Sequence, residues 1–287
     1  MVALLAATQH SASSRRDWRG LSSRFRQSLV GVALMTTAIA TTACTPQRPD
    51  EPRESPPSGW PEALSDFTIA WTSEPGIDLT MGPAVPVRAY VESYYLAYLT
   101  NDEKYLYPGF QQSVEPNTFD GPDGTEKLWP DRFRAQKWVG TARHHILRID
   151  TSGRQAVAVG CVFSYSSASE TDFGLRPNIG SPGPNGGISA FRVQLTAPEK
   201  ATDLSAQRGP SRSPFNNVFA GWRVSNYQGG FLLLAEWTNN SADDVACQSR
   251  ADQPPGDRDY KPGNSYPRSN FPTLPASPGW PAEEVSQ

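Results

Sequence analysis

The sequence predicts an α+β domain in which one long amphipathic helix precedes four to five antiparallel strands, with Pro-rich tails at either end. Three observations predict it. Val87, Tyr90, Val91, Tyr94, Tyr95 and Tyr98 recur at helical spacing. Val157, Val159, Cys161, Phe163 and Tyr165 occupy every second position, as one face of a strand requires. Turn-forming clusters such as Asp150-Thr151-Ser152-Gly153 and Gln228-Gly229-Gly230 separate the later apolar runs. Helix and strands come in blocks rather than alternating, which separates this pattern from a parallel α/β fold.

The N-terminal stretch comes first in the chain. Arg15, Arg16, Arg19, Arg24 and Arg26 face a single acid, Asp17, and lead into the uncharged run from Ser28 to Ala40. A run of that length is too short to span a hydrocarbon core about 30 Å thick. A basic region, a short apolar region and small residues make a secretory signal over residues 1–43. General secretion fits better than twin-arginine export, because Asp17-Trp18-Arg19 after the arginine pair is a poor match and the apolar run starts too far away. Thr41-Thr42-Ala43-Cys44 resembles a bacterial lipobox, with a polar Thr where Leu or Val is usual. The resemblance implies cleavage before Cys44, its acylation, and anchoring on the outer face of the cell membrane. Ordinary secretion and an uncleaved anchor are the alternatives.

Residues 44–62 read as a tether, with prolines at 46, 49, 52, 56, 57 and 61 among charged residues and serines. Such a segment favours an extended, solvated chain. The globular part is expected over 63–250. Phe67, Ile69 and Trp71 alternate with polar neighbours and suggest a short strand ending at Glu74-Pro75-Gly76. Pro86 suits the first turn of the long helix, and Asn101-Asp102 its end. A shorter helix is expected around Glu103 to Leu106, then loop from Gln111 to Trp129.

The strands follow. Lys137 to Ile149 reads as a long strand, and the alternating stretch through Tyr165 as its return. Phe191, Val193 and Leu195 mark a third strand after a loop from Arg176 to Gly187. Val218 to Tyr227, centred on Gly221-Trp222-Arg223, gives a fourth, and Phe231 to Trp237 a fifth. Residues 251–287 form the second Pro-rich tail.

Composition limits the function. Without the signal, 244 residues carry 21 basic and 28 acidic side chains, a net charge of −7. That balance argues against a nucleic-acid footprint or a polybasic membrane patch. With Cys44 acylated, Cys161 and Cys247 remain as an even pair in an oxidising location, so a disulfide is expected rather than two unrelated thiols.

No nucleophile elbow or phosphate-binding loop is present, and no cofactor is implied. His144 and His145 are adjacent, so on a strand they point to opposite faces and cannot hold one metal together. Asp243-Asp244 reads as a solvated turn. Tyr90, Tyr94 and Tyr98 on one stripe, with His145 and Trp222, are the candidate pocket; the plainer reading of the stripe is core packing. The stripe is expected to meet the sheet near Val157, Val159, Phe163 and Trp222.

The order of elements resembles the nuclear-transport-factor-2-like fold, which implies a curved, cone-like sheet wrapped around the helix. In enzymes of that fold a histidine can act as base in the cavity, so His145 or His144 is the candidate if this chain is a hydrolase or isomerase. Separately, Glu74-Pro75-Gly76-Ile77-Asp78-Leu79, Tyr107-Pro108-Gly109-Phe110, His145-Ile146-Leu147-Arg148-Ile149, Gly221-Trp222-Arg223 and Phe271-Pro272-Thr273-Leu274-Pro275 resemble strings in a group of actinobacterial lipoproteins. That likeness implies an envelope location and no particular activity. The expected role is therefore non-enzymatic binding of an envelope protein or a small apolar ligand, and the enzyme is the alternative.

Overall fold

Periodicity of apolar residues decides the central element. The computed structural model describes residues 59–117, 128–131, 134–200, 202, 204–230, 237–261 and 263–283. The signal-like segment, Cys44, the tether up to residue 58 and the fifth strand expected before Trp237 lie outside the described residues. Helix α1, Ala84–Thr100, holds Pro86 in its first turn and stops at Asn101, whose left-handed conformation (φ 55°) supplies the C-cap. One-turn α2, Phe110–Ser113, and α3, Asn240–Ser249, complete the α-helices among the described residues.

The strands are β1 Phe67–Ser73, β2 Trp138–Ser152, β3 Gln155–Phe163, β4 Ser167–Thr171, β5 Gly174–Pro177, β6 Ile188–Thr196 and β7 Arg223–Gly229. They form one sheet in the order β5-β4-β2-β3-β6-β7, with β1 parallel to β2 on the opposite edge of β2 from β3. The other pairings are antiparallel, and the sheet curls into a half-barrel. Four to five strands were expected, and seven are found among the described residues. The hairpin β4–β5 escapes a periodicity search because Ser167-Ala168-Ser169-Glu170-Thr171 offers no apolar alternation. The fourth expected strand starts late. Ala220 (φ 52°) and Gly221 (φ 79°) take left-handed conformations that no strand accommodates, so Trp222 lies in a turn before β7.

Both faces of the sheet are covered. On the inner face Phe67, Ile69 and Trp71 of β1, Ala142 and Ile146 of β2, and Phe191, Val193 and Leu195 of β6 join α1 in one core. β3 contributes Ala156, Ala158 and Val162 to that core. Cys161 and Phe163 point the other way, into a second core with Val139, Tyr260 and Phe271. The expectation that Val157, Val159 and Phe163 would meet the tyrosine stripe is therefore corrected: none of the three belongs to the core that holds α1. A helix crowded with tyrosines fits against the small residues of β3, and its bulky residues go to the outer layer. Gly160 sits at the closest approach: a Cβ there would lie 2.6 Å from the Phe191 ring.

Helix α1 departs from the amphipathic expectation as well. Arg88, Glu92 and Ser93 are buried along with its apolar residues, so the helix is enclosed on nearly every side. The enclosure is completed by the Pro-rich C-terminal segment. Phe271 packs on the outer face, Ser277 accepts a hydrogen bond from Trp71 N at 2.7 Å along the β1 edge, and Trp280 enters the inner core. This strap wraps the one exposed edge of β1 and removes it as a pairing site.

Candidate functional site

The interior around α1 carries the polar chemistry that a ligand cavity would need, but protein groups consume it. Glu92 accepts hydrogen bonds from Trp71 Nε1 (2.7 Å), Tyr107 Oη (2.9 Å) and Trp280 Nε1 (2.7 Å). Arg88, one turn earlier, donates to the carbonyls of Leu79 (2.8 Å), Gln207 (3.1 Å) and Gly279 (2.7 Å), and its guanidinium lies 4.2 Å from the Trp280 ring centre. The closest nitrogen–oxygen approach between the two side chains is 3.9 Å. Burial pushes the Glu92 carboxyl up, against Arg88 and its three donors, and pushes Arg88 down. The cluster is a clamp that joins β1, α1 and the strap.

The candidate pocket residues do not converge. Tyr90 and Tyr94 are fully buried and pack edge-on against Tyr227, with ring centres 5.2 and 5.5 Å apart. Tyr90 also stacks on Phe110 and donates to the Leu128 carbonyl at 2.8 Å. Burial raises the phenols of Tyr90 and Tyr227 well above their ordinary value, so they stay neutral. Tyr98 is only partly buried and stacks on Tyr94. The stripe fills the inside of the half-barrel rather than lining a space. Trp222 lies apart, beside a groove of about 280 Å³. Among the described residues that groove is lined by Met81, Val85, Pro86, Pro198, Leu204 and Val218 as well, and none of the described lining side chains is charged.

The histidines separate as adjacent strand residues must. His144 points inward, 1 % exposed, stacked on Trp71 at 4.5 Å and edge-on to Tyr95 at 5.5 Å. Neither ring nitrogen makes a well-formed hydrogen bond, and burial lowers its pKa to about 3, a weak interaction with the Ala142 backbone opposing. It is a neutral core residue. His145 points outward, away from the tyrosines. Its Nδ1 is 2.8 Å from Thr72 Oγ1 and its Nε2 is 3.4 Å from Glu74 Oε1. Glu74 also accepts from Arg250 Nε at 2.5 Å. Sequence reading missed this cluster because Glu74 and His145 are 71 residues apart and meet only through the parallel β1–β2 register.

Asp243 and Asp244 are not a solvated turn. They lie within α3, where Asp243 takes two hydrogen bonds from Arg148 (2.6 and 3.1 Å) and one from Trp237 Nε1 (2.8 Å), and Asp244 accepts from the Ala190 N–H at 2.8 Å. Beside them Cys161 and Cys247 form a disulfide, with Cα atoms 5.4 Å apart and both residues fully buried. Among the described residues no group of three or more His, Cys, Asp or Glu is placed to hold a metal ion, and no helix is long and apolar enough to cross a membrane.

No protein-family model matches the chain, and neither the curated proteins nor the solved structures contain a match to it.

Proposed function

We propose that this chain is an exported lipoprotein, held on the outer face of the cell membrane by acylated Cys44, whose domain binds a ligand or partner rather than catalysing a reaction inside the half-barrel. The observation that carries the reading is the buried Cys161–Cys247 disulfide between β3 and α3. Disulfides of this kind form and persist outside the reducing cytosol. They go with the basic, apolar and small-residue pattern that ends at Cys44. On this reading residues 1–43 are the removed signal and 44–62 the tether.

Binding is favoured over catalysis because the inside of the half-barrel is filled by Tyr90, Tyr94, Tyr227 and Phe110. A small apolar ligand or an envelope protein then meets the domain from outside, and the groove that Trp222, Met81, Val85 and Leu204 line is the best-suited surface. An enzyme of the cone-cavity type has less support, since His144 has no ionisable partner and His145 faces away from the tyrosines. We read the curled sheet around α1 as a nuclear-transport-factor-2-like cone, and the chain as a relative of the actinobacterial lipoproteins that its sequence strings resemble.

The test is metabolic labelling with a fatty-acid analogue in a bacterial host. The wild type should be labelled and found in membranes, and Cys44→Ala should lose the label and accumulate as precursor. Unchanged membrane partition and processing of Cys44→Ala would overturn the lipoprotein reading.

A further inference from the structure

We propose that Thr72 is a reactive hydroxyl, capable of acyl transfer from small activated esters, with His145 as its general base and Glu74 and Arg250 as positioning residues. This goes beyond the binding role and concerns a different face of the domain. Thr72 and His145 are register partners in the parallel β1–β2 pair, so both project from the outer face of the sheet. Thr72 is exposed, and its Oγ1 lies 2.8 Å from His145 Nδ1.

The direction of the proton follows from the other end of the ring. Hydrogen bonds from Arg250 and then His145 hold the Glu74 carboxyl below its ordinary value, so it is an acceptor only. The His145 Nε2 facing it at 3.4 Å must therefore carry the hydrogen. With the hydrogen on Nε2, Nδ1 is the acceptor and the Thr72 hydroxyl the donor between them. The competing acceptor, the His144 carbonyl, is farther from Oγ1 at 3.4 Å. A hydroxyl donating to an imidazole that a carboxylate orients is the arrangement that activates weak oxygen nucleophiles.

Rigid elements hold the array. His145 is the cross-strand neighbour of Cys161 in the β2–β3 register. Cys161 is bonded to Cys247 in α3, and Arg250 is the C-cap of that helix. The disulfide thus ties the end of α3 that bears Arg250 to the strands that bear Thr72 and His145.

In the step itself, Thr72 Oγ adds to the ester carbonyl as its proton passes to His145 Nδ1. The carbonyl–oxygen bond to the leaving group then breaks, and the departing alkoxide takes that proton. Water, deprotonated by the same nitrogen, hydrolyses the acyl-threonine and restores the hydroxyl.

The experiment treats the folded, disulfide-intact protein with p-nitrophenyl acetate, follows p-nitrophenolate release, and locates the acetyl group by fragment mass spectrometry. Acetyl on Thr72 is expected in the wild type and in Thr72→Ser. Thr72→Val should carry none, and His145→Gln should slow labelling by roughly 100-fold or more. Glu74→Gln should slow it while the ring-nitrogen NMR shifts of His145 show loss of the single tautomer, a change that a merely structural role for Glu74 does not produce. Acetyl confined to lysines or the N-terminus with p-nitrophenolate release unchanged in Thr72→Val, equal labelling of Thr72→Val, or neither labelling nor release by natively folded wild type would each overturn the proposal. None of these results bears on anchoring through Cys44.

Discussion

Replacing His144 by Phe should change how stability depends on pH. The imidazole is enclosed between Trp71, Tyr95 and Phe191, and burial takes its pKa from 6.5 to about 3. Between those values the unfolded chain binds a proton that the folded chain refuses, so stability rises with pH across that window and is lost as pH falls through it. At 1.36 kcal/mol per pKa unit, the whole effect approaches about 5 kcal/mol, of which about 2 kcal/mol falls between pH 7 and pH 5. Phe preserves the stacked shape and removes two buried nitrogens without good partners, so His144→Phe should match or exceed the wild type at pH 7. Urea unfolding followed by circular dichroism at pH 7, 6 and 5 gives both curves. Carboxylates titrate equally in the two proteins, so the difference between the curves isolates His144. It should widen by about 2 kcal/mol on acidification to pH 5. Parallel curves would show that the ring is hydrated or paired and would refute the reasoning.

Other predictions follow from the same packing. Trp280→Ala should cost about 3 to 5 kcal/mol, because it removes a core ring and one donor to Glu92, and thermal unfolding measures it. Tyr94→Ala should cost a similar amount because its ring fills the core beside Tyr227, and near-wild-type stability would contradict that packing. Removing the disulfide as a Cys161→Ala/Cys247→Ala pair opens a loop of 86 residues and should cost at most about 4 to 5 kcal/mol by denaturant unfolding. For Asp243, burial raises the carboxyl but Arg148 and Trp237 outweigh it, leaving the pKa lowered. Its stabilisation is therefore present above the ordinary carboxylate pKa and lost as pH falls through the lowered one, and Asp243→Asn should cost about 1 to 3 kcal/mol at pH 7 and flatten that acid limb.

Elements with a strong period were legible. The tyrosine spacing of α1 and the alternation of β3 survive in the structure because each side chain's direction follows from local geometry. The disulfide was legible from cysteine arithmetic. Which face of β3 meets the helix was not, since Ala156, Ala158 and Gly160 carry little apolar weight and yet make the room that Phe191 and α1 occupy. Arg88 and Glu92 mark a solvent face by type. Their burial depends on Gln207 and Gly279, contributed 119 and 191 residues farther along the chain. Trp222 looked like a strand centre because the left-handed turn at Ala220-Gly221 has no period to betray it. The candidate pocket failed as a unit for a simple reason: the sequence grouped its members by residue type, while the sheet sends His145 outward and Tyr90 and Tyr94 inward.

A single mass reads both where the mature chain begins and what is bonded to it. Intact mass of the protein extracted from membranes should equal residues 44–287, plus the acyl groups on Cys44, less two hydrogens for Cys161–Cys247. A full-length chain, a mature chain without lipid, or a free dithiol would contradict it.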